Sequence, residues 1–134
     1  MNKKVTIFSD GGARGNPGPA GIGAVLYNEK QEKVAEISEY LGTATNNQAE
    51  YKALIRALEK ALELKFEDVS AFLDSELVVK QLNREYKVKN KDLAPLFLEV
   101  YNLSRAFKSI KFSHVYREDN KEADALANRA MDEA

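Results

Sequence analysis

Lys3-Lys4-Val5-Thr6-Ile7-Phe8-Ser9-Asp10-Gly11-Gly12 is the stretch on which the reading of the fold turns. β-Branched and aromatic residues fill positions 3–9 and predict a strand. The run stops on a carboxylate and two glycines, so strand gives way to a turn-rich loop over 11–19. Val69-Ser70-Ala71-Phe72-Leu73-Asp74 repeats the form, a short apolar strand closed by an Asp. Between the two, residues 20–28 and 33–41 read as strands, the latter alternating Val34, Glu36 and Ser38 against Ala35 and Ile37. Their short connections favour an antiparallel meander. Helical spacing marks 47–64, through Leu54, Leu58, Ala61 and Leu62. It also marks 75–84, with Ser75 as N-cap, and 92–107, where Leu93, Leu96, Phe97, Val100, Leu103 and Phe107 share a side. A strand over 109–116 and a helix over 120–132 complete the order βββαβααβα. Strands separated by helices lie parallel through right-handed crossovers. The fold class is therefore α/β: a five-stranded mixed sheet, three antiparallel strands and then parallel ones, with helices on both faces.

The chain has 134 residues, the size of one domain, and we read 1–134 as a single unit. Apolar residues make up 44% and charged residues 31%, which excludes a disordered or collagen-like chain. With no Cys and a single His, thiol nucleophiles, disulfide scaffolds and thiolate or His-rich metal sites are excluded. No apolar run approaches the roughly 20 residues of a membrane span. Asp10 also arrives too early for a signal peptide, so the expectation is a cytosolic protein with no membrane partner. The net charge of −1, from 20 basic and 21 acidic residues, argues against a protein held on nucleic acid by bulk charge. Any grip on phosphates must be local.

Four carboxylates occupy unusual places. Asp10 and Asp74 end strands, and in an α/β sheet ligands bind beyond the carboxyl ends of the strands. Glu50 sits four residues before Leu54, on the apolar stripe of its helix. Asp124 shares the apolar side of the last helix with Ala123, Ala127, Ala130 and Met131. Each has an ordinary reading alone: Asp74 as a helix cap or turn former, Glu50 as a half-exposed helix residue, Asp124 as a partner of Lys121 or Arg129. Together, on faces without Lys or Arg, they read as a cation site, because buried ionised carboxylates are costly unless paired or bound to metal. All-oxygen ligands select Mg²⁺ or Mn²⁺.

Phe8-Ser9-Asp10-Gly11-Gly12, Gly15-Asn16-Pro17-Gly18-Pro19-Ala20-Gly21, Thr45-Asn46-Asn47-Gln48-Ala49-Glu50, Leu73-Asp74-Ser75 and Asn120-Lys121-Glu122-Ala123-Asp124-Ala125-Leu126-Ala127 follow one another in an order that resembles type 1 ribonuclease H, from about residue 4 to 131. The resemblance implies a ribonuclease H-like fold. It implies an endonuclease that hydrolyses the RNA strand of RNA–DNA hybrids, leaving 5′-phosphate and 3′-hydroxyl ends. Asp10, Glu50, Asp74 and Asp124 are then the catalytic and metal-binding residues, with two Mg²⁺ ions when substrate is bound and Mn²⁺ able to substitute. Asp10 would bridge the ions, Glu50 and Asp74 would hold the one near the leaving group, and Asp124 the one on the water side. The enzyme is expected to be a monomer whose partner is the hybrid. A non-catalytic hybrid-binding module, or a related nuclease acting on double-stranded RNA or DNA junctions, is the alternative.

Substrate contacts follow from the same pieces. The 2′-hydroxyl separates RNA from DNA, and backbone groups at Gly11, Gly12 and Ala13 with side chains of Asn16, Asn46, Asn47 and Gln48 suit it. The asparagines are also good helix caps. Thr45 matches a family position that holds the DNA backbone. Lys87 and Lys89 stand in a basic connector that reads either as a DNA grip or as a solvated linker. The connector is short, where many family members carry a longer basic protrusion. Glu76 stands where some members have an amide, and is left out of the site. His114 lies ten residues before Asp124, matching an auxiliary family His, yet Ile110, Phe112, His114 and Tyr116 alternate as one strand face. The strand reading is favoured, and it offers Arg117 or Glu118 to the site instead.

Overall fold

The computed structural model describes residues 3–134; Met1 and Asn2 of the expected domain lie outside them. The elements are β1 (Lys4–Ala13), β2 (Gly18–Tyr27), β3 (Lys33–Ala44), α1 (Asn46–Glu63), β4 (Asp68–Leu73), α2 (Glu76–Leu82), α3 (Ala94–Ser104), β5 (Ser109–His114), a 3₁₀ turn (Arg117–Asp119) and α4 (Lys121–Asp132). They form one five-stranded sheet in the order β3-β2-β1-β4-β5. β1 pairs antiparallel with β2 and parallel with β4, and β4 pairs parallel with β5. Ser9 lies opposite Leu73, so Asp10 and Asp74 leave adjacent strands side by side.

Side-chain alternation decides which helix covers which face. Ala20 and Ile22 of β2 pack with Ala49 and Ala53 of α1, while Gly21 and Gly23, one residue out of phase, meet α4 on the other face. The larger core joins Val5, Ile7, Leu26, Leu54, Leu58, Leu73 and Val78, and Val100 of α3 closes it. Gly23 is where α4 comes closest: an added Cβ would stand 2.2 Å from the Ala123 carbonyl and 2.6 Å from the Ala127 nitrogen. Both are backbone atoms and neither can swing away. Gly23→Ala should therefore cost about 2 kcal/mol or more in denaturant unfolding. Stability within about 0.5 kcal/mol of the parent would show that α4 does not lie this near the sheet.

Three expected boundaries are corrected. The loop over 11–19 begins only after Ala13, because Gly11, Gly12 and Ala13 continue the ladder opposite Ile22, Gly21 and Ala20. The helix expected over 92–107 runs only over Ala94–Ser104: Pro95 sits in its first turn, and Ser104 turns its hydroxyl onto the Tyr101 carbonyl. The strand expected to reach 116 stops at His114, opposite Leu73, the last residue of β4, and the 3₁₀ turn follows.

Candidate active site

Thr45 caps α1 in a reciprocal box: its hydroxyl oxygen accepts from the Gln48 N–H, and the Gln48 amide oxygen accepts from the Thr45 N–H. That cap sets the first turn of α1 against the end of β1. A Cβ at Gly11 would lie 2.2 Å from Ala49 backbone atoms, so only glycine permits the contact. The gain is immediate. Gly11 donates its N–H to Glu50 Oε1 at 3.0 Å, aiming the carboxylate along the strand end.

Oxygens of Asp10, Glu50 and Asp74 all lie within 4.8 Å of one another. Asp10 and Glu50 are buried, Asp74 is half-buried, and Asp124 of α4 lines the same cleft of ≈ 330 Å³. Among the described residues no ion pair engages any of the four. The ordinary readings of Glu50 and Asp124 thus fail: Glu50 is 5% exposed, and Asp124 pairs with neither Lys121 nor Arg129. Burial pushes the Asp10 carboxyl up to about 7, with the Asp74 charge adding and a hydrogen bond from Glu50 opposing. Burial and then Asp10 hold Glu50 well above the usual carboxylate range, against the Gly11 N–H. Glu50 Oε2 is buried without any partner. Crowded, unpaired, all-oxygen donors fit a hard divalent cation.

The flanks are built from the expected residues. Ala13 donates its N–H to Asn46 Oδ1 at 2.8 Å, and the Asn46 N–H reaches Asn16 Oδ1 at 3.0 Å, tying the β1–β2 loop to α1. Gly12 is open: a Cβ there would meet only Asn46 Oδ1, at 3.9 Å. Asn47 lines the carboxylate cleft and also a smaller pocket with Asn16, Thr45, Asn90 and Asp92. Arg117 lines the carboxylate cleft; His114 does not, and sets its ring edge-on to Tyr116 at 5.4 Å. Glu118 is exposed, and it does not line the cleft. Lys87 and Lys89 are exposed and in no ion pair among the described residues.

Sequence reading missed Arg14, Asn90 and Asn120. Arg14 lines the carboxylate cleft and pairs with Asp132 at 2.6 Å. Asn90 and Asp92 join Thr45 across a loop. Asn120 is buried beside Asp74. Their partners lie far away in the chain, and no periodicity points to them.

A family model described as "Reverse transcriptase-like" matches residues 8–130. The ribonuclease H of Pseudomonas fluorescens is 38% identical over 99% of this chain and 95% of its own. The chain belongs to the ribonuclease H family. Another relative, the bifunctional protein Rv2228c of Mycobacterium tuberculosis, is 46% identical over 98% of this chain but only 36% of its own length, so the chain spans about a third of that relative. Among solved structures, RNase H1 of the archaeon Halobacterium salinarum matches with a TM-score of 0.95 at 44% identity, covering 98% of this chain and 99% of that one. LC11-RNase H1, solved in complex with an RNA/DNA hybrid, matches with a TM-score of 0.92 at 43% identity over 96% and 97% of the two chains. The ribonuclease H fold that the motif resemblance implies is thus confirmed. No helix among the described residues is long and apolar enough to cross a membrane.

Proposed function

We propose that this chain is a divalent-metal-dependent endoribonuclease that cuts the RNA strand of RNA–DNA hybrids, leaving 5′-phosphate and 3′-hydroxyl ends. The observation that carries the reading is the convergence of Asp10, Glu50 and Asp74, with Asp124 lining the same cleft and, among the described residues, no cationic side chain paired to them. Its family membership, and the RNA/DNA hybrid in the structure of LC11-RNase H1, support the substrate. The proposal takes residues 1–134 as one catalytic domain, acting as a cytosolic monomer.

Asp10, Glu50, Asp74 and Asp124 would hold two Mg²⁺ ions when substrate is bound, with Mn²⁺ as a substitute. Bound there, the ions supply positive charge at the scissile phosphate and acidify water. The protein's own part is placement. Glu50 is oriented by Gly11, and burial of Asp10 and Glu50 keeps their oxygens available to a cation rather than to water. Gly11, Gly12 and Ala13 with Asn16, Asn46, Asn47 and Gln48 border the cleft where RNA 2′-hydroxyls would pass. The N–H groups of Gly11 and Ala13 already serve Glu50 and Asn46, and Gly12 pairs with Gly21 in the ladder, so the asparagine amides are the freer contacts. Thr45 uses its hydroxyl oxygen as an acceptor in the cap and keeps its proton to offer a DNA phosphate. Lys87 and Lys89 would meet the DNA strand further out. Arg117, always protonated, would bind phosphate above the carboxylates and cannot act as a base. His114 takes no part in this reading.

The test is cleavage of a labelled RNA–DNA hybrid beside single-stranded RNA, double-stranded RNA and double-stranded DNA, with Mg²⁺, Mn²⁺ or chelator. Only the RNA of the hybrid should be cut, and only with metal. Equal cutting of double-stranded RNA sinks the hybrid assignment. A folded protein that binds hybrid but cuts nothing with either metal is a binding module.

A further inference from the structure

Asn120 stands at the N-cap of α4, a position where asparagine normally turns back to cap its own helix. Here it makes no side-chain cap bond. The residue is 2% exposed, and its amide points into the carboxylate site. One Nδ2 hydrogen goes to the Ser9 carbonyl at 2.9 Å and the other to Asp74 Oδ2 at 3.1 Å. Both partners are acceptors, so the amide has one orientation: turned over, it would face Oδ1 against a carbonyl and a carboxylate. The Asn120 carbonyl receives the N–H of Asp124 at 3.1 Å.

Asn120 thus bonds one of the four carboxylates directly and the backbone beside two others. Asp74 is held directly. Asp10 is the next residue after the carbonyl that Asn120 grips. Asp124 is held through its own N–H. The three come from β1, from the end of β4 and from α4, elements otherwise joined near this point only by strand pairing and helix packing. A carboxylate rotates freely about its terminal bond, and cation affinity depends on aligning several carboxylates at once. A buried amide with a free cap position nearby is poorly explained by stability alone.

We propose that Asn120 is a positioning residue for the metal site, fixing the plane of the Asp74 carboxylate. It touches no substrate and acts through Asp74. The inference rests on the reading of the cleft as a divalent-metal site.

The experiment is calorimetric titration of Mn²⁺ into the full chain without substrate, for the parent, Asn120→Ala, Asn120→Leu, Asp74→Ala and the double variant Asn120→Ala/Asp74→Ala, each checked for folding by thermal melt. Leu keeps the γ-branched shape of Asn, though bulkier, and has no donor. Both single Asn120 variants should weaken Mn²⁺ by about tenfold or more, and the double variant should bind no more weakly than Asp74→Ala alone. In hybrid cleavage the metal concentration for half-maximal rate should rise with the KM for hybrid unchanged. Parent-like Mn²⁺ affinity in Asn120→Leu assigns the residue to packing and overturns the proposal. Fully additive losses in the double variant overturn the route through Asp74. A parent that neither binds Mn²⁺ nor cuts hybrid overturns the metal-site reading itself, which the first two outcomes leave standing.

Discussion

Asp10→Asn is expected to lower hybrid cleavage by about a thousandfold or more while making the cation-free protein more stable at pH 8. The two effects have one cause. Asp10 lies in the middle of the cluster, its oxygens within 4.8 Å of those of Glu50 and Asp74, so the proposed site loses its central anionic ligand. Removing several kcal/mol of charge stabilisation at the phosphate corresponds to three or more powers of ten in rate. Yet Asp10 is only 6% exposed and its carboxyl is pushed up to about 7, chiefly by burial. At pH 8 the folded chain must ionise a group that it holds more readily protonated, whereas the unfolded chain ionises it near 3.8 at no such cost. Asn has nearly the same shape and no charge, so it removes the penalty. The melting temperatures of parent and variant in chelator should be close near pH 3.8 and separate progressively, by several degrees at pH 8. A variant that keeps a tenth of the parent rate would remove Asp10 from the site. A variant that melts lower than the parent at pH 8 would mean that its burial is not the strain described.

Much of this arrangement was legible in the residues themselves, for physical reasons that differ from element to element. The approach of Asp10 to Asp74 follows from two short apolar strands each ending in Asp, together with the rule that strands separated by helices run parallel; the observed register, Ser9 opposite Leu73, is that rule realised. Glu50 could be placed because helical phase puts it in line with Leu54 and Leu58, both fully buried. The same local logic misjudged Gly11-Gly12-Ala13. Glycine composition signals a turn, but here glycine lets a strand abut the backbone of Ala49, a contact made 38 positions away in the chain (residue 49 against residue 11) that composition cannot encode. Asn120 went unnoticed for a related reason. Its position before a helix is the ordinary place for a capping Asn, and its real partners, Ser9 and Asp74, are set by the sheet order. Alternation favours His114 as a strand residue and offers Arg117 beyond the strand; of the two, only Arg117 lines the cleft.

Chelator and pH should act on the same oxygens, and this yields the second large effect. In the cation-free chain burial, with the Asp74 charge beside it, raises Asp10, and burial with Asp10 beside it raises Glu50. A group whose folded pKa is raised contributes stability when protonated, and that contribution is lost as pH climbs from the unfolded value of 3.8 toward about 7. The melting temperature in chelator should therefore fall between pH 5 and pH 8, opposite to a chain whose acids are held by salt bridges. A divalent cation competes with protons for these raised carboxyls, so its binding tightens as pH rises and releases protons at the lower pH. Because ligand stabilisation follows the ratio of free concentration to dissociation constant, 10 mM Mg²⁺ (about the upper end of common assay conditions) should raise the melting temperature by more at pH 8.5 than at pH 6. Calorimetry in buffers of different ionisation enthalpy should count about one proton released at pH 6 and fewer at pH 8.5. Hybrid cleavage should climb over the same interval, since the deprotonated pair is the form that receives metal. An equal cation-induced shift at both pH values, or a rate optimum below about pH 5, near the reference carboxylate values, would show that the Asp10–Glu50 pair is not where the cation binds.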